Sequence, residues 1–161
     1  MCLGCLGHVT GDITCDTCQW PLCSNTCPML TCHQPECQLL ATNKLAPKKS
    51  DLQRNGLYPC LTILRMLLLK QTNSEGWRLI SDMMDHWEER GQDPSVASGV
   101  SVMVKLFSER LGLSWVERRD VEHCYGVLKT NAVDVMDGMG QALFPKRIDF
   151  NFKLDFISAT Q

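Results

Sequence analysis

Cysteine dominates the first forty residues of this chain. Eight of its ten cysteines precede residue 40, and most of them lie in short pairs. A histidine, His33, lies four residues before the last of these eight, Cys37. The paired residues are, in order, Cys2, Cys5, Cys15, Cys18, Cys23, Cys27, His33 and Cys37. Few sizeable apolar side chains lie between them, so hydrophobic burial does not offset a chain entropy of ~1 to 2 kcal/mol per residue. The paired residues must therefore determine how this segment folds.

Zinc explains this spacing. The ion is held by four thiolate or imidazole ligands, and two ligands three or four residues apart reach one ion from a single turn. His33 and Cys37 are four residues apart and share one face of a helix. Four pairs supply two closed sites with no position left for water, which indicates structural rather than catalytic metal. Structural zinc contributes roughly 10 to 16 kcal/mol in small peptides, enough to replace the missing core.

Two other interpretations of the cysteines are weaker. A disordered tail of reduced thiols does not explain the paired spacing. An extracellular disulfide framework requires export, yet no Lys or Arg precedes Lys44 and no continuous apolar stretch is present. We therefore expect an intracellular protein, in the cytoplasm, the nucleus or both. Cys32 is a further thiol that could replace one ligand, whereas His8 is interpreted as a loop residue.

Charge and hydropathy exclude two kinds of partner. Residues 1–43 contain no Lys or Arg and three acids, so this segment is not expected to bind nucleic acid. The longest apolar run, residues 61–69, is too short to span a bilayer, so no membrane segment is expected. The basic residues nearest to the cysteines are interpreted as a solvated linker: Lys44, Lys48, Lys49 and Arg54.

Helical periodicity begins after residue 55. We predict a cysteine-rich zinc finger over residues 1–40, a linker over 41–55 and a helical region over 56–135. Residues 57–70 are apolar on most faces, as in a helix buried at the centre of a bundle. Asn73 or Ser74 starts a second helix, which continues through Met83 and Met84 to Gly91.

Two further helices complete the predicted helical region. Asp93 followed by Pro94 begins one of them, and Gly112 ends it. Residues 114–117 form a capping box that opens the last. Cys60, Cys124, Tyr58 and Tyr125 are interpreted as packing residues, and His86 and His123 as surface or boundary residues. Residues 148–156 alternate between apolar and polar side chains, which predicts a short C-terminal strand. The fold class expected is mainly α with a small zinc-stabilised module.

The ligand order CxxC, CxxC, CxxxC, HxxxC resembles the MYND-type zinc finger. With the segments LYPCLTILRMLLLK, TNAVDV and QALFP, it makes residues 1 to about 145 similar to the SMYD family of SET and MYND domain protein-lysine methyltransferases, in particular its arthropod branch. The resemblance implies a double-zinc finger with interleaved sites, one holding Cys2, Cys5, Cys23 and Cys27 and the other Cys15, Cys18, His33 and Cys37. It also implies S-adenosylmethionine as cofactor and Asn131 as a cofactor-binding residue. Asn131 is equally explained as a residue that ends a helix.

The resemblance leaves the activity of this chain open. SET enzymes carry a glycine-rich segment before the finger, an NHS motif and a catalytic tyrosine, and none of these is found in the sequence. We therefore identify no catalytic residue, and interpret residues 136–161 as a partial SET remnant with a divergent tail, as in a truncated form. The alternative is a non-catalytic module that binds protein or proline-containing peptide partners, with residues 20–22 (WPL) either on its surface or covering the zinc site. The sequence does not predict the oligomeric state.

Overall fold

The computed structural model describes residues 2–5, 7, 9, 11–27, 33–47, 57–135 and 140–143. This part of the chain is mainly helical, which confirms the expected fold class at that level. Its elements are α1 (Gln34–Thr42), α2 (Leu57–Thr72), α3 (Ser74–Ser81), α4 (Trp87–Arg90), α5 (Pro94–Lys105), a π-helical turn (Leu106–Arg110), α6 (Arg118–Asn131), β1 (Ala132–Val135) and β2 (Gly140–Leu143). The predicted strand over 148–156 lies outside the described residues.

Two compact units make up the described chain. The first contains the described residues up to 47, with 134–135 and 140–142, and the second contains residues 57–133 and Leu143. None of the described helices combines the length and the apolar character needed to cross a membrane. The paired strands β1 and β2 form a two-stranded sheet that the sequence did not predict.

The first unit is built on a tight reversal of the chain between residues 13 and 22. Leu22 N donates to Ile13 O and Cys15 N donates to Trp20 O, which pairs the two arms of the reversal. Leu3 N donates to Pro21 O and brings the first CxxC pair beside the second arm. The Trp20 side chain is buried, and its indole Nε1 donates to Leu45 O just after α1. Trp20 therefore belongs to the small core of this unit rather than to its surface.

Helix α6 organises the second unit. It packs against α2, α3, α4 and α5 and buries one apolar stripe, consisting of Val121, Cys124, Val127 and Leu128. Helix α2 buries six consecutive residues, from Ile63 to Leu68, as predicted for a helix at the centre of a bundle. The predicted packing role of Cys124 is confirmed, since none of its surface is exposed.

The capping predictions are confirmed for two helices and corrected for a third. Asn73 Oδ1 accepts from Gly76 N at the start of α3, and Asp93 Oδ1 accepts from Ser95 N at the start of α5. Gly112 has a φ of +68°, a conformation that favours glycine, and it follows the π-helical turn. The capping box of α6, however, is formed by Glu117 and Asp120 rather than by residues 114–117. The helix consequently begins at Arg118.

The continuous helix predicted from Asn73 to Gly91 is wrong at residues 82–86. Helix α3 ends at Ser81, and Met84 lies in the intervening loop with 68% of its surface exposed. Asp85 Oδ1 accepts from Trp87 N, which gives the chain a new cap, and His86 takes a left-handed conformation with φ of 50°. These local bonds compete with helix continuation even though the apolar spacing favours it.

His123 lies at the boundary of the unit, as predicted, and it also holds this loop to α6. His123 Nδ1 donates to Asp85 Oδ2 at 2.6 Å, and its Nε2 lies 2.9 Å from Ile80 O. Both neighbours are hydrogen-bond acceptors, so the two ring nitrogens connect α6 to the 82–86 loop and to the end of α3. The His123 side chain retains only 18% exposure. His86, by contrast, is exposed as expected.

The two helical glycines of the second unit are predicted to respond oppositely to alanine. A Cβ at Gly126 in α6 would lie 2.4 Å from Asp85 O, whereas a Cβ at Gly99 in α5 meets nothing within 4 Å. Gly126→Ala should therefore destabilise the protein by about 1 to 3 kcal/mol through overpacking. Gly99→Ala should stabilise it by about 0.5 to 1 kcal/mol through helix propensity. Urea denaturation followed by circular dichroism measures both, and equal effects would contradict the close approach at Gly126.

The Asp85 carboxylate is predicted to make stability depend on acid. Burial opposes its ionisation, but the Trp87 amide and His123 outweigh burial and hold the pKa of Asp85 below its usual 3.8. A lowered folded pKa gives stability that is present above the unfolded pKa and lost as pH falls through the folded value. Asp85→Asn should cost about 1 to 2 kcal/mol at pH 7, and the difference should shrink below pH 4. Urea unfolding across this range tests it, and a constant difference would contradict the role of the charge.

Candidate metal centre

The first CxxC pair and the CxxxC pair converge in the first unit. Cys2, Cys5, Cys23 and Cys27 place their sulfur atoms within 4.8 Å of one another. Cys2 Sγ lies 3.9 Å from Cys27 Sγ. Cys5 Sγ lies 3.6 Å from Cys23 Sγ. We call this group the four-thiol cluster.

The second CxxC pair converges with His33 and Cys37. Cys15, Cys18, His33 and Cys37 also have one ligand atom each within 4.8 Å of the others. Cys15 Sγ lies 3.7 Å from Cys37 Sγ. Cys18 Sγ lies 3.4 Å from His33 Nε2. This group is the three-thiol cluster, and its ligands alternate along the chain with those of the four-thiol cluster.

These distances fit tetrahedral zinc. With Zn–S bonds of about 2.3 Å, two sulfur ligands are about 3.8 Å apart, and a sulfur and an imidazole nitrogen about 3.6 Å. A disulfide would bring the sulfurs to about 2.05 Å, and all nine described cysteines are free thiols. Thiolate and imidazole are also the donors that zinc prefers. The two clusters can therefore each hold one metal ion.

Backbone amides surround the sulfurs of both CxxC pairs in the same way. Amides that act to lower the cysteine pKa lie two and three residues after the first cysteine of each pair, and two residues after the second. Gly7 N, for example, donates to Cys5 Sγ at 3.4 Å. An N–H donor stabilises a thiolate more than a thiol. This repeated turn is thus suited to sulfur ligands that carry negative charge.

The pKa values of the cysteine thiols differ within each cluster. Burial opposes ionisation of Cys2, but the surrounding amides outweigh it and lower its pKa to about 7. For Cys15, nearby amides together with the His33 and Cys37 side chains outweigh burial and lower the pKa to about 6. Burial instead raises the pKa of Cys5 to about 12 and raises the pKa of Cys18 and Cys37. Cysteine binds a metal ion as the thiolate and not as the thiol, so binding must displace protons and weaken as pH falls.

Glu36 lies beside the three-thiol cluster, and the sequence did not predict it as a residue of the site. None of the Glu36 surface is exposed, and its Oε1 lies 3.4 Å from His33 Nδ1. A hint is present in the sequence, since an acid three residues after a ligand histidine falls in the first turn of α1. Cys32, considered above as a replacement ligand, and His8, interpreted as a loop residue, lie outside the described residues.

Asn131, predicted from the resemblance to contact a cofactor, lies at the C-terminus of α6. Its side-chain Nδ2 donates to Val127 O at 3.0 Å and to Met84 O at 2.8 Å. Both amide hydrogens therefore bond to backbone carbonyls, one of them in the 82–86 loop. The Asn131 side chain therefore bonds to the last turn of α6 and to the 82–86 loop. The role of Asn131 in cofactor binding stays a prediction.

Two serine substitutions test the grouping of ligands. The wild-type chain should bind two zinc ions, whereas Cys23→Ser and Cys18→Ser should each retain one, because each removes one thiolate from a different cluster. Cys60→Ser, outside both clusters, should retain two. Native mass spectrometry after zinc loading under reducing conditions counts the ions. Retention of two ions by both cluster variants would show that these groups are not the metal sites.

Comparison of the chain with known proteins found no match. No protein-family model matches the chain, and no curated protein or solved structure shows significant similarity to it. The case for metal binding therefore rests on the two clusters themselves, whose donors and distances are compatible with two zinc ions.

Proposed function

We propose that this chain is a zinc-binding protein of the SMYD type, whose cysteine-rich unit is held in shape by two structural zinc ions. The convergence of eight ligand side chains into two groups of four carries the proposal. Each group supplies four protein ligands, which completes a tetrahedral site and leaves no place for a reacting water. The metal, when bound, supplies cross-links between distant parts of the segment rather than a reaction.

The order of the ligands supports the family assignment. The first and third pairs form one cluster, and the second and fourth pairs form the other. This interleaving is what the resemblance to the MYND finger implies, and spacing alone does not require it. For a complete relative, the resemblance implies transfer of a methyl group from S-adenosylmethionine to a protein lysine. The catalytic segments are not found in these 161 residues, so the proposal does not include methyl transfer by this chain alone.

A non-catalytic interaction module is the second candidate. Asn131 favours it, because both hydrogens of its amide already bond to carbonyls of the protein. The partner we propose is a protein or a proline-containing peptide. Trp20 and Leu22 are each only 3% exposed, so such a peptide would have to bind elsewhere on the zinc-binding unit.

Cofactor binding separates the two candidates. We expect the zinc-loaded chain to contain two metal ions, and isothermal titration with S-adenosylmethionine then decides between them. Saturable binding that Asn131→Ala weakens about tenfold, the equivalent of about 1.4 kcal/mol, would support the SMYD assignment. Two bound zinc ions without binding of S-adenosylmethionine would support the interaction module instead.

The matched control is Asn43→Ala. Asn43 Nδ2 donates to Leu39 O at the end of α1 in the same way that Asn131 Nδ2 donates to Val127 O at the end of α6. Both variants lose one bond of this type, but only Asn131 is proposed to contact the cofactor. Equal weakening in the two variants would count against a cofactor role for Asn131, and a chain that binds no zinc would overturn the proposal as a whole.

A further inference from the structure

A fully buried carboxylate beside a metal-ligand histidine requires an explanation. Glu36 is 0% exposed and His33 is 2% exposed. Burial of a carboxylate is costly unless a hydrogen-bond donor or a positive charge accompanies it. An acid in the first turn of a helix gains from the helix dipole, but this interaction does not require the acid to be buried. The helix position alone therefore does not account for the burial of Glu36.

The histidine ring connects Glu36 to the three-thiol cluster. His33 immediately precedes α1, and Glu36 follows it by three residues, on the first turn. The Nε2 atom of the ring faces the cluster, 3.4 Å from Cys18 Sγ, while its Nδ1 atom lies 3.4 Å from Glu36 Oε1. The two nitrogens thus have different partners on opposite sides of the ring.

Metal binding constrains which nitrogen carries the proton. A neutral imidazole has one bare nitrogen and one N–H, and only the bare nitrogen binds a metal. With Nε2 toward the thiols, the proton must be on Nδ1, where a carboxylate oxygen can accept it. An outer partner of this kind fixes the tautomer and orientation of a ligand histidine and makes the ring a stronger base.

We propose that Glu36 is a positioning residue of the three-thiol cluster, which holds His33 in the tautomer and orientation that bind zinc. This inference rests on the proposed zinc binding. Glu36 acts through the ring and is not itself a ligand, since the cluster already has four. Its effect is confined to one of the two metal ions, because the four-thiol cluster contains no histidine.

The test compares Glu36→Ala with Glu36→Gln in the full chain. Alanine removes the acceptor, so zinc affinity at the three-thiol cluster should fall roughly 10- to 100-fold. Glutamine keeps a side-chain oxygen that can accept from Nδ1, so its affinity should lie between those of the alanine variant and the wild type. Gln38→Ala, at an exposed position of α1, is the control and should match the wild type.

Competition with a chromophoric chelator measures the two zinc affinities, and the four-thiol cluster serves as the internal reference. Cobalt distinguishes the clusters, because sulfur-only and mixed sulfur–nitrogen ligand sets give different visible spectra. Only the cobalt spectrum of the mixed set should change in Glu36→Ala. In the wild-type protein loaded with zinc, nitrogen NMR should show His33 with its proton on Nδ1.

Three results would overturn the inference. The first is an unchanged zinc affinity at both clusters in Glu36→Ala, and the second is an equal loss of zinc affinity at both clusters in that variant. The third is a proton on Nε2 of His33 in the zinc-loaded wild type. Failure of the wild type to bind two ions is a separate result, which contradicts the proposed function itself. Glu36→Gln keeps the size of the side chain, so the inference stays testable if the alanine variant does not fold.

Discussion

The convergence of eight ligand side chains is the constraint on which the cysteine-rich unit depends. The described part of this unit has a small apolar core, in which Trp20, Leu22 and Leu40 are buried. Hydrogen bonds of the 13–22 reversal bring the pairs together, but among the described residues of the segment few such bonds join distant parts of the chain. A bound ion in each cluster would join parts of the chain more than ten residues apart, which short-range backbone bonds do not accomplish.

The second unit is stabilised by ordinary packing around one helix. Helix α6 contacts four other helices, and the close approach of Gly126 to the Asp85 backbone lets the 82–86 loop lie directly on it. Polar bonds then fasten the loop along α6. His123 bonds to the Asp85 side chain and Asn131 to the Met84 carbonyl. The loop is thus held at two points along the helix, and Asn131 has a structural role whatever its relation to a cofactor.

Much of this organisation could be predicted from the sequence, and the failures have a common cause. Residue types and spacing indicated metal ligands, and apolar periodicity with caps such as Asp93 located most helices. Spacing did not determine which pairs share an ion, because that depends on the reversal that brings Leu3 beside Pro21. The helix break at 82–86 and the contact made by His123 were missed for a similar reason.

Glu36 illustrates the same limit at the candidate site. A single acid in the first turn of a helix looks like a solvated residue in a sequence, since Glu is rarely fully buried. Its burial becomes visible only when α1 packs and places the residue behind the His33 ring. Local patterns therefore predicted the residues that gather in the two clusters, whereas the residue proposed to orient one of them depends on tertiary structure.

The alternation of ligands along the chain also sets an order of assembly during translation. The four-thiol cluster has all its ligands once Cys27 has left the ribosome, while the three-thiol cluster must wait for His33 and Cys37. Cys15 and Cys18 emerge early and remain without their later partners in the meantime. The nascent segment therefore passes through a stage with one complete set of ligands and one half set, and the synthesis of α1 ends that stage.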